Sequence, residues 1–264
     1  MTFYTLVKHL IFHLVFTTMT QQSPQSAASA ISLESTADYH TDPAAYAMAL
    51  RYQQRSAEIM ALQLQIYRFA QERMHEKLAL PDTGRQPAIV LDLDETVLDN
   101  SKLLVRDIQH RRDFSHWETW RHWEQQGLPG LIPGAKRFLD EAHRCHVKIF
   151  YVSDRTEKNK LSTLNTLNAL GLPQADADSV LLNTSSKEER RRSIMMRYQI
   201  IMLFGDSLPD FATIFLEPQT TEHQRIRVEE MAHRFGDDWF ILPNASYGTW
   251  KTATLHAWEV PHEE

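Results

Sequence analysis

The segment Ala88-Ile89-Val90-Leu91-Asp92-Leu93-Asp94-Glu95-Thr96 constrains the fold of this chain more than any other. Four apolar residues, with β-branched Ile89 and Val90 among them, run straight into acid. A short apolar run of this kind reads as a strand buried on both faces, as in a parallel sheet covered by helices. Open α/β sheets bind their ligands at the carboxyl ends of strands. Asp92 and Asp94 stand at that end, and the period of a strand points both the same way. Neighbouring carboxylates repel each other unless a proton or a cation separates them. A hard cation such as Mg2+, held through oxygens, suits the pair.

The rest of the chain repeats the strand–helix rhythm. Strands are expected at Val147–Val152, near Val180–Leu182, at Ile200–Phe204 and at Trp239–Leu242. Helices are expected at Ala135–Arg144, at Glu157–Leu170 with Gly171 closing it, and at Lys187–Tyr198. Ser185-Ser186 would cap the last of these, with Glu188 and Glu189 in its first turn. Such alternation predicts an α/β protein with a Rossmann-like, mostly parallel sheet. Upstream, Asp42-Pro43 starts a helix that reaches about Lys77, in one piece or two, with Ile59, Leu62, Ile66 and Phe69 on one stripe. Asn100 to Pro133 does not alternate like a strand, and it holds Trp117, Trp120 and Trp123, so it reads as an inserted, mostly helical cap.

At 264 residues the chain has room for one full α/β domain and an accessory region. The net charge of −6 argues against a nucleic-acid polymer as partner. The mixed-sign run Glu188-Glu189-Arg190-Arg191-Arg192 is expected to be a solvated helix face. A single cysteine, Cys145, excludes an internal disulfide and a zinc site built on cysteines. At the N-terminus, Lys8, the apolar run Leu10–Phe16 and Ala28-Ser29-Ala30 have the layout of a secretory signal, with an anchor or a plain extension as the other readings. The run is too short for an ordinary membrane span. The expected organisation is a signal-like segment and linker over residues 1–41, then one domain over 42–264, with helical accessory or cap parts at about 43–80 and 100–133. The expected location is outside the cytoplasm, periplasmic or secreted, with no stable membrane span.

Four sites share one context, each at a strand's C-terminal end or a helix start. They are Asp92/Asp94; Ser153 at the end of Ile149–Ser153; Lys187 after Ser185-Ser186; and Asp206 with Asp210 in Gly205-Asp206-Ser207-Leu208-Pro209-Asp210. In a parallel sheet these ends converge on one rim. Carboxylates, a hydroxyl and an ammonium gathered there fit phosphoryl transfer: a cation neutralises some phosphate oxygens, and lysine and hydroxyl hold the others. One aspartate can attack as a nucleophile through an acyl-phosphate. A second can protonate the leaving alcohol and then activate water.

The ordered set Asp-x-Asp-x-Thr, Ser, Lys, Gly-Asp-x-x-x-Asp is similar to the haloacid dehalogenase superfamily. Leu91–Asn100, Lys148–Arg155, Ser185–Glu188, Gly205–Phe211 and Leu242–Trp250 narrow the likeness to the class C bacterial acid phosphatases, the lipoprotein e(P4) family, over roughly residues 45 to 255. That resemblance implies a haloacid dehalogenase fold with a small helical cap and a 5′-nucleotidase-like phosphomonoesterase. Asp92 would be the nucleophile and a metal ligand. Asp94 would be the acid/base and touch the metal through its backbone carbonyl. Asp206 would bind Mg2+ and Asp210 would support it from behind. Ser153 and Lys187 would bind phosphoryl oxygens, while Trp120 and Tyr247 would stack on a leaving-group ring. It further implies nucleoside 5′-monophosphates or nicotinamide mononucleotide as substrates, and a homodimer. By themselves Trp120 and Tyr247 equally suit packing. The chain departs from the family pattern at Leu103 (usually Tyr), Ser207 (usually Asn) and Asp154 (often Asn), and lacks the lipid-bearing N-terminal cysteine. A metal-dependent glycosyltransferase, a receiver domain and a non-enzymatic ligand-binding or adhesion protein on a retired phosphatase scaffold are the rival readings.

Overall fold

A computed structural model of the chain describes residues 43–81, 83–110, 112, 117–216 and 220–255. The signal-like segment and linker expected at residues 1–41, and Asp42 of the expected helix start, lie outside these. The sheet contains β1 (Pro87–Leu91), β4 (Lys148–Thr156), β5 (Val180–Asn183), β6 (Gln199–Gly205) and β7 (Trp239–Ile241), in the order β5-β4-β1-β6-β7, every pair parallel. From β1 the chain builds outward through β4 and β5, then returns to add β6 and β7 on the other side. The strand order therefore reverses beside β1, which makes its C-terminal end the crevice where such sheets bind ligands.

Both faces of β1 are buried, as its continuous apolar run requires. Ile89 and Leu91 face Tyr67, Met74 and Phe138, which come from α2 (Ala57–Leu78) and α5 (Ala135–Arg144). Ala88 and Val90 face Phe150, Trp239 and Ile194, the last from α7 (Lys187–Met195). Helix α6 (Lys160–Ala169) packs Leu167 into the first cluster, and α8 (Thr221–Glu230) sets Val228 against the second. Among the described residues, no helix is long and apolar enough to cross a membrane.

Leu98–Asp99 (β2) and Gly130–Leu131 (β3) form a small antiparallel stem. It carries α3 (Ser101–Gln109) and α4 (Trp117–Gln126), the expected helical cap. The upstream helix is in two pieces, α1 (Pro43–Arg55) and α2, parted where Ser56 turns extended and caps α2 by accepting from Ile59 N. The pieces divide the work: α1 packs Leu50 against Leu103, Leu104 and Trp120 of the cap, whereas α2 covers the sheet.

Several boundaries differ from expectation, each for a local reason. The buried stripe of α2 is Ile59, Gln63, Tyr67, Ala70 and Met74, not Ile59, Leu62, Ile66 and Phe69. Leu62 and Phe69 stay exposed, because the Tyr67 hydroxyl turns that face inward to donate to the Thr96 carbonyl at 2.6 Å. Strand β4 runs through Ser153 to Thr156, α7 stops at Met195, and Glu157–Asn159 is a 3-10 turn before α6. Arg190 and Arg191 are buried, so the run at Glu188–Arg192 is not simply a solvated face. Arg191 pairs with its neighbour Glu188 at 2.9 Å, as spacing allows, but the further partners of both arginines come from β4, β5 and the Asp210 turn.

Tyr67→Phe should destabilise the protein by about 1–3 kcal/mol, because it leaves the buried Thr96 carbonyl without a donor while barely changing shape. Thermal or urea unfolding checks this, and an unchanged midpoint would show that the bond carries no weight.

Candidate active site

The apolar run of β1 delivers Asp92 to the C-terminal edge, where its backbone N–H donates to Phe204 O of β6 at 3.0 Å. Lys187, at the first position of α7, reaches Asp92 Oδ1 at 2.8 Å and Asp210 Oδ1 at 2.5 Å. The start of α7 is fixed by a reciprocal cap: Ser186 Oγ accepts from Glu189 N, and the Glu189 carboxylate accepts from Ser186 N. Asp210 is folded back against Gly205 so closely that a Cβ there would lie 2.4 Å from its carboxylate. Glycine at 205 is thus required by close approach. The second Asp210 oxygen accepts from Ser207 N at 3.0 Å. Asp206 accepts from Asn244 Nδ2 at 2.9 Å.

Asp92, Asp206 and Asp210 offer carboxylate oxygens that all lie within 4.8 Å of one another. Burial pushes the Asp92 carboxyl well up from its usual range; Lys187 opposes this, and Asp210, Asp206 and Asp94 add to it. Asp206 is raised by burial and then by Asp210, against the Asn244 hydrogen bond. Burial works against the Lys187 ammonium, but Asp210 and Asp92 outweigh it and raise its pKa. One ammonium cannot balance three carboxylates. All-oxygen donors in a space short of positive charge fit a hard divalent cation.

Asp94 stands on the other side of Asp92 in a different setting. Its carboxylate accepts from Arg155, from Nε to both oxygens at 3.1 Å and from Nη2 to Oδ1 at 2.7 Å, and from Asn100 Nδ2 at 2.8 Å. Ser153 Oγ lies 3.5 Å from Asp94 Oδ2 and accepts from Arg155 N at 3.1 Å. Arg155 is buried; burial disfavours its charge, and Asp94 more than restores it. Next in sequence, Glu95 takes a left-handed conformation (φ 56°), uncommon outside glycine. That turn sends its side chain inward, away from Asp94. There it accepts from Asn100 N at 2.9 Å and from the Tyr247 hydroxyl. Its pKa is pushed up to about 8, by burial first and then by the Asp94 charge.

The cap closes over this edge. Trp123 Nε1 donates to Asn100 Oδ1 at 2.7 Å. Trp120 and Tyr247 meet edge to face, centroids 5.7 Å apart at 86°. Trp120 is 8% exposed and packs with Leu50, Leu103 and Leu104. The Tyr247 loop is tied to α1, with Gln53 donating to Pro243 O and accepting from Ala245 N, both at 3.1 Å.

The structure therefore brings Asp92, Lys187, Asp206 and Asp210 into direct or near contact, with Asp94 and Ser153 beside them and Trp120 and Tyr247 paired at the cap. Sequence reasoning assigned no role to Arg155, Asn100, Glu95, Gln53, Arg190 or Asn244. Arg155, Glu95, Asn100 and Asn244 lie inside the segments that carry the family likeness, which was the signal available for them, and Arg155 also stands three residues beyond a buried apolar run.

A family model described as HAD superfamily, subfamily IIIB (acid phosphatase), matches residues 14–250. The chain belongs to this family. As a family acid phosphatase it is a phosphomonoester hydrolase. It is similar to the class C acid phosphatase from Bacillus anthracis, at 31% identity and a TM-score of 0.74, over 80% of this chain and 87% of that one. The tungstate-bound form of that protein matches equally, over 79% and 87%. Membership in a hydrolase family displaces the glycosyltransferase, receiver and non-enzymatic readings.

Arg155→Met should cost about 3–5 kcal/mol of stability, because the Asp94 charge is left without its buried partner. Asp94→Asn in the same chain should return part of that loss. Strict additivity of the two substitutions in a denaturation cycle would show that the pair is not coupled.

Proposed function

We propose that this phosphomonoesterase requires Mg2+, passes through an aspartyl-phosphate and favours nucleoside monophosphates or similar ring-bearing phosphomonoesters. The observation that carries the reading is the contact of Lys187 with Asp92 and Asp210 beside Asp206, an anion-binding ammonium inside a carboxylate trio. Support also comes from the relative that binds tungstate, an oxyanion akin to phosphate.

Asp92, Asp206 and the backbone carbonyl of Asp94 would hold the Mg2+, with Asp210 orienting this set. Once bound, the ion supplies neutralisation of the trio and of the phosphate charge. Lys187 and Ser153 bind phosphoryl oxygens. An Asp92 carboxylate oxygen attacks phosphorus as the ester P–O bond breaks, and Asp94 gives its proton to the departing alkoxide. Water then attacks phosphorus and loses its proton to Asp94, the Asp92–phosphorus bond breaks, and inorganic phosphate leaves. Arg155 and Asn100 fix the direction of Asp94 throughout. Export of the chain, supported by the signal-like segment 1–41, and a homodimer belong to the same reading.

Asp92→Asn should abolish phosphate release with the fold intact, since the amide is nearly isosteric and a poor nucleophile. Metal stripping should inactivate the wild type, added Mg2+ should restore it, and Asp206→Ala should raise the Mg2+ needed. Turnover of Asp92→Asn within about tenfold of wild type would sink the covalent route; full activity after metal stripping would sink the Mg2+ requirement.

Specificity separates the cap from the chemistry. Stacking on a base is worth roughly 1–3 kcal/mol, so Tyr247→Ala or Trp120→Ala should lower kcat/KM for a nucleoside monophosphate by about 5- to 150-fold. A small aliphatic phosphomonoester should hardly change. Equal losses on both substrates would make these aromatics packing residues and leave only phosphomonoesters in general.

A further inference from the structure

The end of the molecule formed by the last turns of α2 and α5 carries a second group of metal-ligating side chains that the reaction does not use. His75 Nε2, Glu141 Oε1 and Cys145 Sγ lie within 4.8 Å of one another. His75 comes from the last turn of α2, Glu141 from α5, and Cys145 is the C-cap of α5. The nitrogen is 3.0 Å from Glu141 Oε1, and the sulfur is 3.6 Å from the same oxygen. With usual bond lengths, a tetrahedral zinc ion sets those N···O and O···S edges at roughly 3.4 and 3.6 Å. Two edges of a tetrahedral face are thus within about 0.4 Å of those lengths, and the third, between His75 Nε2 and Cys145 Sγ, is under 4.8 Å.

We propose that His75, Glu141 and Cys145 form a zinc-binding site that staples α2 to α5, with its fourth position open to solvent. One cysteine is too few for an all-thiolate site, but a mixed nitrogen, oxygen and sulfur set suits a borderline-soft ion that harder Mg2+ cannot replace. Two independent features favour a cation here. Both helices present their C-terminal, negative ends to the site. Glu141 is the shared centre of the cluster and is half-buried, its side chain 15% exposed and in contact with His75 of the other helix. Its present partner is Arg144, which donates to both carboxylate oxygens and is 71% exposed. Arg144 Nη2 can leave Oε1 for water at little cost, while Nε stays on Oε2. On binding, Cys145 gives its thiol proton to solvent and ligates as thiolate.

The chain's one cysteine makes the test specific. Full-length protein in excess Mg2+, which saturates the aspartate trio, is titrated with Co2+ as a spectroscopic stand-in for zinc. A thiolate-to-cobalt charge-transfer band should appear at one equivalent and disappear as Zn2+ is added. His75→Ala and Glu141→Gln should each weaken the apparent affinity at least about tenfold, as loss of a ligand or its support does. Cys145→Ser should remove the band and leave phosphate release unchanged, which also shows that it folds. Absence of the band at millimolar Co2+, or an equal band in His75→Ala, would overturn the site whatever the outcome at Asp92.

Discussion

Too much negative charge is gathered in too little space at the end of β1, and the rest of the site is arranged around that excess. At about 4 Å two like charges repel by roughly 4 kcal/mol in surroundings of intermediate polarity. Asp92, Asp206 and Asp210 make three such pairs. Lys187 meets two of them, and it can do so because the Ser186–Glu189 cap starts α7 at that residue. Asn244 meets the third. Gly205 lets Asp210 come close, and Arg191 anchors the turn by donating to the Asp210 carbonyl. The remaining imbalance suits the place to a cation: protein groups offset part of the charge, enough to hold the fold and too little to balance all three carboxylates.

Two neighbouring residues divide the chemistry from the cap. Asp94 points to the rim and meets Arg155, Asn100 and Ser153; Glu95, turned by its positive φ, points inward and meets Tyr247 and Asn100. Asn100 belongs to both sets, and Trp123 of the cap binds it. A shift of the cap therefore reaches the Asp94 carboxylate through one side chain. The left-handed Glu95 is a strained position of the kind retained at functional sites, held here by a buried carboxyl with three donors.

What the sequence made legible follows from period. Short apolar runs located β1, β4 and β6; the ends of those runs pointed to Asp92, Ser153 and Asp206, and a capped helix start to Lys187, because parallel topology forces such ends together, although β4 itself runs on past Ser153 to Thr156. Long-range pairing has no period. Asn100 sits in the family motif, yet nothing local says that its amide will serve Asp94, Glu95 and Trp123 at once. The buried stripe of α2 lies one helical position from the expected one for a similar cause: Gln63 and Tyr67 are polar by composition, but a hydroxyl that finds Thr96 O can be buried as well as an isoleucine.

The departures from the family pattern have the same explanation. Leu103, where the family usually has Tyr, is buried against Leu50, Leu104 and Trp120, so it fills the cap's small core. Ser207, in place of Asn, serves Asp210 through its backbone N–H, which any residue there supplies. Asp154 adds a carboxylate 3.8 Å from Lys187, near where an anion must bind. It is 65% exposed, and its other oxygen is taken by Arg190 at 2.8 Å. Arg190 is itself fixed by the carbonyls of Ser153 and Leu181, so its charge is held beside Asp154 by the backbone of two strands. An arginine that the sequence suggests is solvated is thus the group that offsets the extra acid, and Lys187 keeps its ammonium turned toward Asp92 and Asp210.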